Sequence, residues 1–194
     1  MNTDDAPIKP DALEKALIQK AKDGDNRSVE LLYKQFYGFA MSVALRYSNS
    51  RDEACEIVND SFMKAFEKLK QYQVENSFKG WLRRIIVNTS IDYYRRNSRY
   101  STIMDIEKAE LEGYSPGIIE QLTFEDILGL IRTLPEILRI VFNLYEIEGF
   151  DHNEIGEKLG IPASTSRTYL ARSKKKLREK VLEINQIKDE GAVR

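Results

Sequence analysis

The chain has 194 residues, of which 42% are hydrophobic and 31% charged, and its formal net charge is −1. No stretch is long and apolar enough to span a membrane, and the acidic N-terminus lacks the apolar segment of a secretory signal. One cysteine and one histidine cannot form a disulfide framework or a zinc site, so we expect a reducing, cytoplasmic environment, no structural metal and no cofactor.

The N-terminal half has the apolar periodicity of a helical protein. Apolar residues recur at spacings of three and four nearly throughout the chain, which predicts an all-α fold. Residues 98–122 lose this periodicity, are rich in acidic residues and contain Gly113, Pro116 and Gly117, as is typical of a flexible acidic linker. The helices predicted before this segment span residues 11–22, 27–47, 50 or 52 to 69, and 78–96.

The C-terminal half has clear signals for helix starts and stops. Thr123 and Asp126 resemble a capping box, and Pro135 suits the first position of a following helix that ends at Gly149. We therefore expect two small helical domains, residues 10–98 and 120–184, joined by an acidic linker over residues 99–119.

Residues 151–181 have the layout of a helix-turn-helix. Asp151 and Glu154 have the spacing of a capping box, Gly160 suits a left-handed helix end, and Pro162 suits the start of the second helix. The second helix of such a motif enters the major groove of DNA.

The small net charge conceals an uneven distribution. Residues 76–100 hold six basic side chains against one acidic side chain, and residues 162–182 hold seven against one. Residues 101–130 hold seven acidic side chains against one basic side chain. A basic helix attracts phosphates whatever the total charge, because salt screens distant charges.

The second helix of the motif divides into a buried and an exposed face. A stripe formed by Ser166, Leu170, Leu177 and Val181 is expected to be buried. Hydroxyl side chains precede the cations on the other side, an order that suits bases first and phosphates second. We expect base contacts from Ser164, Thr165, Thr168 and Arg172, flanking contacts from Arg167 and Tyr169, and phosphate contacts from Lys175 and Lys176.

The helix predicted over residues 78–96 mixes aromatic and basic side chains. Aromatic faces accept unstacked bases and cations follow the backbone, so this mixture favours melted DNA. Buried core and rim positions are an equally open interpretation for Trp81. The candidate contacts are Lys79, Trp81, Arg84, Asn88, Tyr94 and Arg95.

The preceding helix has one apolar face and one mixed polar face. Glu56, Asn59, Asp60 and Met63 lie on the polar face. This face suits either a partner helix that carries arginines or plain solvent, and the residues alone do not decide between them.

In their order along the chain, these segments resemble a known family. The relevant blocks are GDNRSVELLYKQF, DEACEIVNDSFMKAFEKL, FKGWLRRIIVNTSIDYYRR and LPEILRIVFNLYEIEGFDHNEIGEKLGIPASTSRTYLARSKKKL. The chain resembles bacterial RNA polymerase sigma factors of the extracytoplasmic-function (ECF) type across residues 12–182.

The resemblance implies two all-α domains, sigma regions 2 and 4. Region 2 would bind the clamp coiled coil of core polymerase through Glu56, Asn59, Asp60 and Met63, and read the minus-ten element with Asn88 among the contacts. Region 4 would read the minus-thirty-five element and touch the polymerase flap. The implied partners are core polymerase, promoter DNA and an anti-sigma factor, with no small-molecule substrate and no membrane insertion.

Three other functions compete with this interpretation. A helix-turn-helix regulator would use residues 10–98 for sensing or dimerisation, but such a domain has no need for an aromatic and basic helix. A helical enzyme would need convergent catalytic groups, and neither His152 nor Cys55 has an evident partner in the sequence. A structural adaptor would leave both basic segments as solvated surface.

Overall fold

The computed structural model describes residues 12–73, 77–98 and 129–191, and every regular element in these ranges is helical. The chain divides into two compact units, Met1–Arg96 and Asn97–Arg194, and each has its own buried apolar residues. The predicted all-α architecture of two helical units is therefore confirmed. The predicted linker, residues 99–119, and the predicted capping box of Thr123 and Asp126 lie outside the described residues.

The described residues of the first unit form four helices. A short 3-10 turn over Leu69–Gln71 follows the third of them. The second helix ends three residues before the predicted limit, because the chain tightens after Ala44 into bonds from the Arg46 and Tyr47 amides to carbonyls three residues earlier. The helices are α1 (Ala12–Lys22), α2 (Asn26–Ala44), α3 (Arg51–Lys68) and α4 (Phe78–Ser98).

Side-chain caps fix where α2 and α3 begin. The Asp25 carboxylate accepts a hydrogen bond from the Ser28 amide (3.0 Å), and the Ser50 hydroxyl accepts one from the Glu53 amide (3.1 Å). Each cap satisfies an amide that has no partner within its helix. Of the two predicted starts for α3, the structure therefore uses the one capped by Ser50.

Apolar side chains from all four helices form the core of the first unit. Helix α2 packs between α1 and α3. The rings of Phe36 in α2 and Phe78 in α4 lie 4.9 Å apart, which joins α4 to the same core. This packing leaves one side of α4 exposed. Fully or almost fully buried side chains include Ile18, Leu32, Ile57, Phe62, Leu82 and Ile86.

In the second unit, the described residues form a helical turn at 129–132 followed by three helices. The first of these widens into a π-helical turn over Asn143–Ile147 before Gly149, which has a φ of +78°. Pro135 and Pro162 each lie one residue before the first helical residue rather than at it. The helices are α5 (Glu136–Phe142), α6 (His152–Leu159) and α7 (Ala163–Gly191).

Helices α6 and α7 form the predicted helix-turn-helix. The Asp151 carboxylate accepts from the Glu154 amide (2.9 Å), and the Glu154 carboxylate accepts from the Asp151 amide (2.8 Å), so the predicted capping box is confirmed. Gly160 ends α6 with a φ of +69°, the left-handed conformation that the sequence predicted.

Gly156 allows the turn between α6 and α7 to be tight. A Cβ atom at this position would lie 2.7 Å from the backbone oxygen of Ile161. Such a contact forces the backbone to move, so a side chain here would separate α6 from the turn. Because α5 and α6 both pack against α7, this turn determines how α7 is held on the second unit.

Candidate nucleic-acid interface

Helix α7 presents one polar and basic face to solvent. Ser164, Arg167, Thr168 and Lys175 are all exposed, and their spacings of three, four and seven place them on one side of the helix. The Thr168 hydroxyl donates to the Ser164 carbonyl (3.1 Å), which leaves its oxygen lone pairs facing outward. This face combines hydroxyl acceptors, one guanidinium and an ammonium group.

The buried stripe of α7 is wider than the sequence predicted. Ser166 and Leu170 are buried as expected, whereas Leu177 and Val181 are half-buried. Arg172 was predicted to lie on the exposed side, and this prediction is wrong, since its side chain is only 8% exposed. Both α5 and α6 pack against α7, so a single apolar stripe underestimates the covered surface.

The other predicted contacts of α7 differ in accessibility. Thr165 and Tyr169 are half-buried, so they lie at the edge of the exposed face, as predicted for Tyr169 but not for Thr165. Lys176 is exposed, together with the neighbouring cations Lys174 and Arg178.

A small side-chain cluster joins the start of α6 to the first turns of α7. His152 Nδ1 and Ser166 Oγ lie 3.0 Å apart in a hydrogen bond, and the His152 ring stacks on Tyr145 with a centroid separation of 4.5 Å. Beside them, Lys174 Nζ lies 2.7 Å from a Glu146 carboxylate oxygen. Sequence reasoning missed this cluster because its members come from three elements, although a polar residue on the apolar stripe at Ser166 was a usable signal.

Helix α4 presents a second exposed face. Arg84, Asn88 and Arg95 are exposed, and the half-buried Trp81 lies on the same side at a spacing of three residues from Arg84. Four of the six predicted contacts of this helix therefore share one face. It combines an indole, two guanidinium groups and a carboxamide, all at helical spacing.

Trp81 belongs partly to the core, as one of the two open interpretations held. Its ring lies 4.9 Å from Tyr72 and 5.5 Å from Phe78, both of which are buried. These rings fix the indole at the edge of the aromatic cluster with part of its surface in solvent. A supported, half-exposed ring loses little conformational freedom when a base stacks on it.

Two predicted contacts of α4 lie away from this face. The Lys79 ammonium lies 4.8 Å from the centre of the Phe39 ring, on the side of the helix that meets α2. Tyr94 is half-buried and lies on the opposite flank from Trp81 at 100° per residue. The structure therefore does not bring Lys79 and Tyr94 together with the other four.

The polar face of α3 is bordered by side chains of α2 and α4. The Tyr93 hydroxyl donates to the Glu56 carboxylate (3.2 Å), and the Arg96 guanidinium lies 3.9 Å from the Asp60 carboxylate. On the other border, the Tyr33 hydroxyl donates to Asn59 Oδ1 (3.2 Å).

Met63 is the apolar member of that face and is 64% exposed. Methionine is enriched at protein–protein interfaces relative to the rest of the surface. The other three residues predicted to bind core polymerase, Glu56, Asn59 and Asp60, lie at helical spacing around this side chain, which the described part of the first unit leaves uncovered.

The described residues were searched for a membrane-spanning helix and for a cluster of metal ligands. None of the described helices is long and apolar enough to cross a membrane. Within the same part of the chain, no three histidine, cysteine, aspartate or glutamate side chains are placed to hold a metal ion together.

Comparison with protein-family models matches each unit to a known domain family. The model described as Sigma-70 region 2 matches residues 32–100, and the model described as Sigma-70, region 4 matches residues 124–177. Together the two matches cover more than half of the chain and include α4 and the helix-turn-helix. Regions 2 and 4 in this order define a transcription initiation factor of the sigma-70 type, which directs RNA polymerase to promoters.

Curated relatives indicate which type of sigma factor the chain resembles. The ECF RNA polymerase sigma-E factor of Haemophilus influenzae is 27% identical over 87% of this chain and 95% of the relative. Those of Salmonella typhimurium LT2 and Escherichia coli K12 are 28% and 27% identical, each over 87% of this chain and 94% of the relative. The chain belongs to the ECF sigma factors, as its sequence indicated. A helix-turn-helix regulator with an N-terminal sensor domain is not favoured, because sigma region 2 covers most of the first unit.

Two of the solved structures that match this chain are complexes. One is CnrH with the cytosolic domain of CnrY, at 20% identity and a TM-score of 0.45, covering 85% of this chain and 94% of that chain. Another is RpoE with the anti-sigma factor NepR from Bartonella quintana, at 22% identity and a TM-score of 0.47, covering 80% and 96%.

Proposed function

We propose that the chain directs core RNA polymerase to promoters by reading the minus-thirty-five element with α7 and the minus-ten element with α4. The observation that carries this proposal is the exposed face of α7, on which Ser164, Arg167 and Thr168 precede Lys175. In a helix-turn-helix the first turns of the second helix meet base edges, while later cations meet phosphates.

Arg167 becomes the principal base-reading residue of α7. It is exposed between two hydroxyl side chains, and arginine forms a bidentate pair with the O6 and N7 atoms of guanine. Arg172, the arginine favoured by sequence reasoning, contributes instead to the packing of α7, because a side chain that is 8% exposed cannot reach a groove without unpacking. Lys175 and Lys176 remain proposed phosphate contacts.

The minus-ten element is assigned to the face of α4 formed by Trp81, Arg84, Asn88 and Arg95. Strand separation exposes base faces and Watson–Crick edges, which an indole and a carboxamide recognise, while guanidinium groups hold the strand backbone. Lys79 and Tyr94 are left with supporting contacts at the borders of this face, because neither points to the same side as Trp81.

Core polymerase is assigned to the face of α3 around Met63. Glu56, Asn59 and Asp60 surround this exposed side chain, so a basic helical partner would gain ion pairs at the rim and cover an apolar centre. The clamp coiled coil is the partner proposed for this face, and the flap is the partner proposed for the second unit.

The remaining parts of the proposal follow from this role. We assign no catalytic step to the chain, because the reaction belongs to core polymerase. We place the chain in the cytoplasm because the polymerase and the promoters that it serves are there. An anti-sigma factor is a further proposed partner, as the resemblance to ECF sigma factors implies.

Run-off transcription tests the proposal directly. Core polymerase with the full chain is expected to yield discrete transcripts from genomic DNA that core polymerase alone does not produce, and the chain should co-elute with core polymerase. A Met63→Asp variant should lose co-elution, whereas Leu13→Asp, at an exposed apolar position of α1, should retain it. If the native chain gives neither transcripts nor co-elution, the proposal is wrong.

A further inference from the structure

We propose that His152 is a positioning residue for DNA reading: its hydrogen bond to Ser166 and its stack on Tyr145 fix the first turns of α7 on the helix-turn-helix. His152 is the first residue of α6 and Ser166 is the fourth residue of α7. The bond between Nδ1 and Oγ is 3.0 Å long and spans the turn between the two helices. This inference rests on the proposed role of α7 in reading the minus-thirty-five element.

The Ser166 end of this bond is inside the protein. Ser166 is 0% exposed, so water cannot replace the imidazole as the partner of its hydroxyl group. A buried hydroxyl that loses its partner retains the full cost of its desolvation. The bond therefore favours one seating of α7 against α6 over neighbouring ones.

The His152 end is held by an aromatic ring. The imidazole lies on Tyr145 with an interplanar angle of 22° and a centroid separation of 4.5 Å. Tyr145 belongs to the π-helical turn that follows α5, so the ring joins a third element to the contact. With its plane set by Tyr145, the imidazole directs Nδ1 toward Ser166.

The position of Ser166 connects this contact to DNA reading. Arg167 follows it directly, and Thr168 lies one residue further along α7. Both side chains are exposed, and the Thr168 hydroxyl donates to the Ser164 carbonyl of its own helix. Base-edge hydrogen bonds require donor–acceptor distances near 3 Å. A small rotation of α7 would therefore weaken discrimination between bases more than it weakens attraction to phosphates.

The charges around His152 favour its neutral form. Arg167 and Lys174 face it from α7, Asp151 precedes it on α6, and Glu146 reaches the area from the π-helical turn, where it pairs with Lys174. Burial lowers the pKa of His152, and the two cations lower it further against the opposing effect of Asp151. A neutral ring keeps one donor and one acceptor nitrogen, which matches a single hydroxyl partner.

The test compares a promoter recovered by run-off transcription with a copy whose minus-thirty-five element is shuffled. We expect His152→Ala to lower the ratio of transcripts from the two templates by roughly fivefold to tenfold, the effect of one lost hydrogen bond. Transcription from the shuffled template should change little. Ser166→Ala should lower the ratio similarly, and the double variant should be no worse than either single one.

Ser173→Ala is the matched control. Ser173 is the other serine of α7 that is 0% exposed, but its hydroxyl donates to the Leu170 carbonyl of its own helix (2.7 Å). Its removal leaves the contact between α6 and α7 intact, so the transcript ratio should stay near the native value. A ratio that falls equally in Ser173→Ala and Ser166→Ala would overturn the proposal, because any buried serine would then matter.

Rescue separates positioning from simple destabilisation. The side-chain amide of His152→Asn places a nitrogen near the native Nδ1, whereas the longer amide of His152→Gln places one nearer to Nε2. Asparagine should restore part of the ratio and glutamine should not, even where the two variants unfold at the same temperature. Equal ratios for alanine, asparagine and glutamine would overturn the assigned bond.

Nuclear magnetic resonance gives a readout independent of transcription. The chain has one histidine, so the imidazole nitrogen signals of the full chain belong to His152. Ser166→Ala should move these signals and Ser173→Ala should leave them in place. Imidazole nitrogen signals that do not move in Ser166→Ala would overturn the proposal.

An Arg167→Ala variant distinguishes the two levels of inference. If Arg167→Ala lowers the transcript ratio and His152→Ala does not, α7 reads the promoter but His152 does not position it. If Arg167→Ala leaves the ratio unchanged and Ser166→Ala still moves the imidazole signals, the contact exists but the proposed reading role of α7 is wrong.

Discussion

The two basic helices are supported in different ways by their own units. Helix α4 is held by the buried side chains of Phe78, Leu82 and Ile86. Toward its C-terminal end it also forms polar pairs with α3, among them Lys64 with Asp92 (3.5 Å) and Asp60 with Arg96 (3.9 Å). Helix α7 is held near its start by a tight turn and a buried hydroxyl. Exposed ion pairs contribute little free energy each, whereas buried contacts tolerate little change. We therefore expect substitutions in the turn before α7 to destabilise the protein more than substitutions in the polar pairs of α4.

The largest effect is expected at the turn that supports α7. Gly156→Val places a Cβ atom 2.7 Å from the Ile161 backbone oxygen, where no flexible side chain can move away. We expect the free energy of unfolding to fall by about 1–3 kcal/mol. Thermal unfolding of the full chain measures it. Gly129→Ala, which has no neighbouring atom within 4 Å, is the control, and an equal loss in both variants would contradict the role of the turn.

Next in size is the base contact proposed for α7. Arg167→Met should weaken binding of the holoenzyme to its promoter by about 1–3 kcal/mol and relax the sequence preference. Arg172→Met is matched to it in chemistry, but Arg172 is buried, so the preference should remain. Competition binding with promoter and shuffled duplexes measures both effects. A preference lost in Arg172→Met but kept in Arg167→Met would reverse the assignment.

We also expect a base contact from α4, which forms at strand separation, after the holoenzyme has bound the duplex. Asn88→Ala removes the carboxamide from the face that carries Trp81 and Arg84, and it should reduce open-complex formation by an amount comparable to one base contact, about 1–3 kcal/mol. Permanganate reactivity of unpaired thymines measures strand separation. Initial duplex binding of the holoenzyme should change little. A loss confined to duplex binding would contradict the minus-ten assignment.

Local sequence signals were sufficient to predict helix ends and exposed helix faces in the two units. The capping box of Asp151 and Glu154 and the left-handed Gly160 depend on neighbours a few residues away, so the sequence alone predicts them. The placement of Trp81, Arg84 and Asn88 on one side of α4 likewise follows from helical spacing.

Contacts between different helices could not be predicted from the sequence, because they depend on residues that are not close neighbours along the chain. Arg172 is buried in a unit where two other helices pack against α7, and the need for Gly156 depends on where the Ile161 oxygen lies. The pair of His152 and Ser166 joins residues on two helices separated by a turn. A periodic pattern describes one helix at a time and contains no information on these approaches.

Phosphate contacts on α7 should give a smaller and less specific effect. Lys175→Ala is expected to lower affinity for every duplex alike and to reduce the salt dependence by about one released counterion. Binding measured across a salt series gives the slope. Lys34→Ala, at an exposed position in the first unit that pairs with Glu30 in its own helix, should leave the slope unchanged. A loss restricted to one sequence would contradict the phosphate role of Lys175.

The smallest effect concerns pH and the buried support of α7. Burial first, and then Arg167 and Lys174, lower the pKa of His152 below its ordinary value of 6.5. The unfolded chain therefore takes up this proton at a higher pH than the folded chain does. The stabilisation from the neutral ring is fully present above the ordinary value and is lost as the pH falls through the lowered one.

Thermal unfolding of the native chain and of His152→Gln is measured across this pH range. The carboxylates titrate in both chains, so the difference between them gives the contribution of the His152 ring to stability. The native chain should lose more stability than the variant on acidification. Helix α4 has no histidine near its supporting pairs, so minus-ten strand separation should not share this dependence. Parallel unfolding profiles for the two chains would show that the imidazole adds nothing to the seating of α7, and the contrast between the two helices would then rest on the turn alone.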